Sequence, residues 1–160
     1  MQHILVTTDF SEAAESAFDY AKGQLKLAGK EKSRITLLKV IDVVPPASIK
    51  FEYGLAIADK KGMLEKLYKQ ALEKILEIAN KHFPGLPVDT VVIKPKKAAY
   101  QEIIEFAKTH KVDLIVMSTH GRTGIKHFLL GSVAERVVRR SPCPVTVVPA
   151  RISKVKKLTN

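Results

Sequence analysis

The sequence predicts one α/β domain built on an open, five-stranded parallel sheet with helices on both faces, and three observations lead there. Strand-like and helix-like segments alternate along the chain, which argues for parallel strands joined by crossover helices. The run Asp113-Leu114-Ile115-Val116-Met117 is apolar on consecutive positions after the aspartate, as expected of a strand covered on both faces. At 160 residues and 46% apolar content, the chain suffices for one substantial core, and a second domain would have to be very small.

Residues 3–8 read as the first strand. Residues 11–28 carry Ala14, Ala17, Phe18, Ala21, Leu25 and Ala28 at the spacing of one helical face, with Asp9 or Ser11 suited to cap the start and Gly29 the end. Residues 34–41 form a second strand centred on Ile35-Thr36-Leu37-Leu38. Pro45-Pro46 forbids regular structure beyond it, so residues 42–58 are expected to form a long functional or mobile loop. The longest helix, residues 61–82, carries a core-facing stripe of Leu64, Leu67, Tyr68, Ala71, Leu72, Ile75, Leu76 and Ala79. Pro84-Gly85-Leu86-Pro87 breaks the chain before a third strand at 88–93. A third helix is marked by Ala99, Ile103, Ile104 and Ala107, and a fourth strand occupies 112–117. The last helix, 132–140, turns Val133, Ala134, Val137 and Val138 inward, and a fifth strand spans 145–148.

Composition narrows the function classes. No apolar run is long enough to span a bilayer, and the chain opens directly on the strand-like Ile4-Leu5-Val6, so the expectation is a cytoplasmic protein with no membrane partner. Cys143 is the only cysteine, which forbids an internal disulfide and fits a reducing compartment. The net charge of +11 is unevenly placed: from residue 94 onward there are 14 Lys/Arg against 4 Asp/Glu, and before it 13 against 12. A positive field over that half favours an anionic ligand, polyphosphate or nucleic acid. Nucleic acid ranks lowest, because no aromatic residues interleave the lysines and no reading helix stands out. Arg151, Lys154, Lys156 and Lys157 come after the last strand and read as a basic C-terminal tail, 151–160, behind a domain of residues 1–150.

The chemistry concentrates after the fourth strand. Ser118-Thr119-His120-Gly121-Arg122-Thr123-Gly124 extends from its end, and Gly131-Ser132 opens the last helix. Glycines after a strand let backbone approach a ligand closely, and a Gly-Ser pair at a helix start offers free N–H groups and a hydroxyl at the positive end of the dipole. With strand order 3-2-1-4-5, the winding reverses between the first and fourth strands, so Thr7-Thr8-Asp9 and this glycine segment would face one crevice. Neither a P-loop nor a dinucleotide fingerprint is present, and a lone Asp9 does not build a receiver-type magnesium site.

Thr8-Asp9-Phe10-Ser11, Leu38-Lys39-Val40-Ile41-Asp42 and Gly121-x9-Gly131-Ser132 with Pro142-Cys143-Pro144-Val145 resemble the universal stress protein family, in order and up to about residue 150. The resemblance implies the 3-2-1-4-5 sheet of the adenine nucleotide alpha hydrolase-like fold and a homodimer through the terminal strand, residues 145–148. It also implies a stress-response regulatory module that binds ATP, or AMP or ADP, with a Mg2+ or Mn2+ ion as accompanying group. Thr7, Thr8 and Asp9 would line the adenine side, with backbone contacts from Val40. Met117, Ser118, His120 and Gly121 would pass near ribose and phosphates, Arg122 would add charge, and Gly131, Ser132 and Val133 would hold phosphates. No residue stands out as a base or an arginine finger, so any ATP hydrolysis should be slow.

The family's nucleotide pattern, G-x2-G-x9-G-[ST], has its first glycine replaced by Ser118. If that position needs positive φ or close backbone contact, serine costs roughly 1 kcal/mol or more, and the alternative is a nucleotide-free dimerisation or partner-docking protein of the same fold. Blander roles also fit. Ser132-Val133-Ala134-Glu135 matches a capping box, Asp9 could be only an N-cap, and His120 and His127 lack a third metal ligand.

Overall fold

The computed structural model describes residues 2–29, 32–41, 60–119 and 130–149. The elements run β1 (Gln2–Thr7), α1 (Glu15–Ala28), β2 (Ser33–Val40), α2 (Lys60–His82), β3 (Val88–Ile93), α3 (Ala99–Thr109), β4 (Leu114–Ser118), α4 (Ser132–Arg140) and β5 (Val145–Val148). The five strands form one parallel sheet in the order β3-β2-β1-β4-β5. The expected loop at 42–58 and the tail from 151 lie outside the described residues. Among the described residues, no helix is long and apolar enough to cross a membrane.

β1 is the central strand. It pairs with β2 from Gln2↔Ser33 to Thr7↔Leu38 and with β4 from Ile4↔Leu114 to Val6↔Val116. Side chains alternate between two cores because successive residues of a strand point to opposite faces. Ile4 and Val6 of β1, Ile35 and Leu37 of β2 and Val116 of β4 pack under α1 and α2, against Phe18, Leu25 and Ile75. Leu5, Leu38, Ile115 and Met117 pack on the other face against Ile103 and Phe106 of α3 and Ala134 and Val137 of α4. Side chains this fully buried contribute about 1.5–3 kcal/mol each.

Differences from the expected boundaries have local causes. α1 is preceded by a 3-10 turn at Glu12–Ala14, with Ser11 as its N-cap and no side-chain cap. Asp9 does not cap a helix: its Oδ1 accepts the Ser11 N–H (3.0 Å) and the Ser11 hydroxyl (2.5 Å). Gly29 ends α1 at φ 88, a conformation that side chains rarely adopt. Val112 and Asp113 belong to the turn before β4, since the Val112 N–H closes onto the Ala107 carbonyl at 2.9 Å. On α4, Val133 and Val138 are exposed rather than inward; Ala134 and Val137 carry the contact.

The amino end of the sheet is closed by a polar cluster. Asp113 Oδ2 accepts the His3 N–H at 2.7 Å, and the Asp113 N–H donates to the His3 carbonyl at 2.9 Å. The buried His3 ring reaches Thr36 Oγ1 (2.8 Å) through Nε2, and its Nδ1 lies 3.1 Å from both the His110 carbonyl and the Arg34 guanidinium. Burial, together with the charge of Arg34, holds the His3 pKa below its ordinary value of 6.5, although the His110 carbonyl works the other way. The folded protein therefore binds this proton less readily than the unfolded chain, so the stability is present above about pH 6.5 and is lost as pH falls through the lowered folded pKa. The urea midpoint should drop between about pH 7 and about pH 5, and His3→Gln should flatten that dependence; equal slopes in the two proteins would rule the linkage out.

Candidate functional site

A cavity of about 330 Å3 opens at the carboxyl ends of β1, β2 and β4. Thr7, Thr8 and Asp9 enter from β1, Leu38, Lys39 and Val40 from β2, and Met117, Ser118 and Thr119 from β4. Ala99 and Ile103 of α3 supply apolar wall, and Gly131 to Ala134 bring the start of α4 into the lining. This is the crevice that the reversal of winding between β1 and β4 creates.

Three local structures shape it. After β1, the Thr8 N–H continues the ladder to the Leu38 carbonyl (2.9 Å), and Thr8 Oγ1 accepts the Phe10 N–H (3.0 Å). With Asp9 holding Ser11, these bonds fix Phe10 at φ 69. That conformation is uncommon for a bulky residue and costs on the order of 1–3 kcal/mol. The Phe10 ring lies 5.3 Å from the ammonium of Lys39, a buried cation whose strand neighbours Leu38 and Val40 are apolar.

At the end of β4, Ser118 is a strand residue paired with Val148, and the Thr119 N–H donates to the Val148 carbonyl at 2.9 Å. Ser118 is not among the residues with positive φ. The conformational penalty that a serine would carry in a glycine-only region therefore does not arise.

The third structure is the start of α4. Gly131, at φ −58 and ψ 145, is the N-cap, so Ser132 is the first helical residue and the expected capping box with Glu135 does not form. Glu135 donates its N–H to the Gly131 carbonyl at 2.9 Å, as the first intrahelical bond. The Gly131 N–H is turned to the Thr119 carbonyl at 2.9 Å, which leaves the N–H groups of Ser132, Val133 and Ala134 without intrahelical acceptors. They sit at the positive end of the helix dipole, in the cavity wall, where an anion is favoured.

Thr7, Thr8, Asp9, Val40, Met117, Ser118, Gly131, Ser132 and Val133 are thus brought to one cavity. His120, Gly121 and Arg122 lie outside the described residues. The structure adds Ala14, Leu38, Lys39, Ala99, Ile103 and Ala134. Lys39 left a signal in the sequence, as a cation inside the apolar run of β2, whereas Ala99 and Ile103 read only as core positions of their helix. Among the described residues the lining holds one carboxylate, Asp9, and one ammonium, Lys39, and no group of three metal-ligating side chains comes together.

A parallel sheet of order 3-2-1-4-5 with a cavity at its switch point defines an open, doubly wound α/β protein with a crevice at the carboxyl ends of its strands. The model of the universal stress protein family matches residues 1–149, and the chain belongs to that family. It is 34% identical over 145 residues to universal stress protein MJ0531 of Methanocaldococcus jannaschii, covering 91% of this chain and 80% of that one. The solved structure of MJ0577, a universal stress protein of the same organism, matches with TM-score 0.72 at 34% identity, covering 95% of this chain and 98% of the other. The universal stress protein from Archaeoglobus fulgidus in complex with dAMP matches at 19% identity and TM-score 0.58, covering 92% of this chain and 98% of that one, and so shares the fold.

Gly131 tests the packing of the site. A Cβ placed there would meet the Thr119 carbonyl oxygen at 3.0 Å, although the backbone angles themselves suit any residue. Gly131→Ala should push the start of α4 away from β4 and cost about 1 kcal/mol or more of stability, read as a lower urea midpoint. An unchanged midpoint would show that the two elements separate without cost.

Proposed function

We propose that this protein binds ATP or a related adenine nucleotide in the crevice between β1 and β4, and acts as a ligand-dependent regulatory module in stress response. The observation that carries the reading is the start of α4, where Ser132, Val133 and Ala134, whose N–H groups have no intrahelical acceptors, line a cavity that also has apolar side chains in its wall. Oriented N–H groups bind phosphate oxygens without reorganisation, while Val40, Met117, Ala99 and Ile103 offer a surface for the base. The dAMP complex of the Archaeoglobus fulgidus protein shows that this fold can hold an adenine nucleotide. The extended backbone of Ser118 supports binding over the nucleotide-free alternative, because serine is not strained there. His120, Gly121 and Arg122 complete the phosphate side in this reading. A Mg2+ or Mn2+ ion would take its ligands chiefly from phosphate oxygens and water, since Asp9 is the one carboxylate in the described lining.

The chemistry available is binding. In the described lining no imidazole or second carboxylate stands beside Asp9, and its Oδ1 is committed to Ser11. Backbone dipoles stabilise a bound phosphate in its ground state as well as in a transition state, so the reading is of a sensor with at most slow hydrolysis.

Mass spectrometry of nucleotide released from freshly purified, denatured protein should recover an adenine nucleotide. Added ATP at about 100 times its Kd should stabilise the fold by about 2.7 kcal/mol, raising Tm by about 5–10 °C for a domain of this size. No recovered nucleotide and no rise in Tm would overturn the reading.

The module is read as a homodimer through β5. Among the described residues this strand is a sheet edge, paired on one side only, with β4. The carbonyls of Pro144 and Val148 bond to β4, so by the two-residue alternation of a strand Val145 and Val147 turn their N–H and C=O groups outward. Val147→Pro removes an outward donor and leaves the ladder to β4 intact. Light scattering should find the parent dimeric and this variant monomeric; a dimer of unchanged affinity would rule out pairing through this edge.

A further inference from the structure

Two arginines meet on one tyrosine on the flank between α3 and α4, outside the cavity lining. The Arg136 and Arg140 guanidinium centres lie 5.3 and 5.4 Å from the centroid of the Tyr100 ring, and Arg140 Nη1 donates to the Tyr100 hydroxyl at 3.1 Å. Two like charges held beside one ring repel each other, and an anion between them relieves that repulsion. Neither guanidinium has a carboxylate partner among the described residues. Arg139, on the adjacent stripe of the same helix, differs: its Nε donates to Glu135 Oε1 at 3.1 Å.

None of the three residues lines the cavity, but each is on a helix whose first turn does. Tyr100 comes directly after Ala99, a residue of the cavity wall, in the first turn of α3. Arg136 stands four residues after Ser132 and Arg140 four after Arg136, which puts all three on one stripe of α4. Helical side chains lean toward the amino end of their helix, here the end at the cavity. A guanidinium is a planar fork of donors matched to phosphate oxygens, and its stacking on a ring fixes the fork before a ligand arrives.

We infer that Arg136 and Arg140, held on Tyr100, form an oxyanion seat at the rim of the crevice that takes the outer phosphates of a nucleotide lying in the cavity. The inference rests on the nucleotide reading and deepens it, since it assigns the protein a preference for polyphosphate over monophosphate. A single phosphate bound at the N–H groups of Ser132 and Val133 ends short of Arg136, four residues or about 6 Å further along α4; Arg140 starts about 12 Å along, and its side chain returns to the same Tyr100 ring. A chain of two or three phosphates spans the shorter of these distances. Tyr100 is a positioning residue here, and the two arginines are the groups that touch the ligand.

Titration calorimetry with AMP and with ATP separates the possibilities, using the parent protein, an Arg136→Gln/Arg140→Gln double variant and Arg139→Gln. In the double variant ATP affinity should fall about 10- to 100-fold, the range for losing charge-assisted bonds, while AMP affinity stays unchanged. Arg139→Gln should bind ATP like the parent, because its charge is already neutralised by Glu135. All three substituted side chains are exposed, and circular dichroism melting of each variant verifies its fold before binding is compared. If the parent binds ATP and the double variant binds it equally well, the seat is overturned and the pocket reading stands. Equal losses for AMP and ATP, or an Arg139→Gln loss as large as that of the double variant, would also overturn it in favour of a diffuse positive field. A parent protein that binds neither nucleotide overturns the pocket reading itself, and the seat with it.

Discussion

β1 carries hydrogen bonds on both edges, and the rest of the molecule is arranged by that fact. With β2 on one side and β4 on the other, both parallel to it, the chain leaves β1 toward one face of the sheet, through α1, and leaves β4 toward the opposite face, through α4. The cavity lies where these strands end, between the segment that follows β1 and the start of α4. The ladder bonds that extend past the strands, from Thr8 to Leu38 and from Thr119 to Val148, hold the three lips of that cavity in register. No side chain has to be special for the crevice to exist. Special residues decide what it can hold.

The two poles of the sheet use polar groups in opposite ways. At the amino end, His3, Thr36 and Asp113 satisfy one another and backbone groups, while the buried Ser33 Oγ at the start of β2 has no hydrogen-bond partner among the described residues. At the carboxyl end, the first N–H groups of α4 lack intrahelical acceptors and the turn at Phe10 is held in a costly conformation. Positive φ outside glycine occurs at both poles, at Phe10 near the cavity and at Lys111 before β4, so what sets the cavity end apart is the set of N–H groups at the start of α4.

Gly131 links the frame to the site. Its N–H gives up a direct role toward a ligand in order to tie α4 to Thr119, and its missing side chain allows the close approach that this bond needs. The helix start is thereby aimed into the cavity with Ser132 as its first residue. A capping box would have turned the Ser132 hydroxyl back onto its own helix. With Gly131 as the cap, Ser132 makes no side-chain cap and lines the cavity.

The fold was legible because alternation of strand and helix periods is a local property of the chain, and each of the five strands and four helices announced itself by spacing or by an apolar run. The Gly131-Ser132 pair and Thr7-Thr8-Asp9 were legible as site candidates for a similar reason, since residue type and a strand end suffice to flag them. The strand order could only be assumed from resemblance, because parallel neighbours are chosen by long-range contacts that leave no mark in spacing. Three further matters were settled by tertiary structure alone. The Ser118 conformation is set by its pairing with Val148, thirty residues away in sequence. The direction of the Gly131 N–H is set by where β4 ends, and the stacking of Arg136 and Arg140 on Tyr100 requires α3 and α4 to lie side by side. Sequence by itself thus determined which elements form and which residues have the chemistry to act. Tertiary structure decided which of them meet, because that depends on hydrogen bonds and packing between segments far apart in the chain.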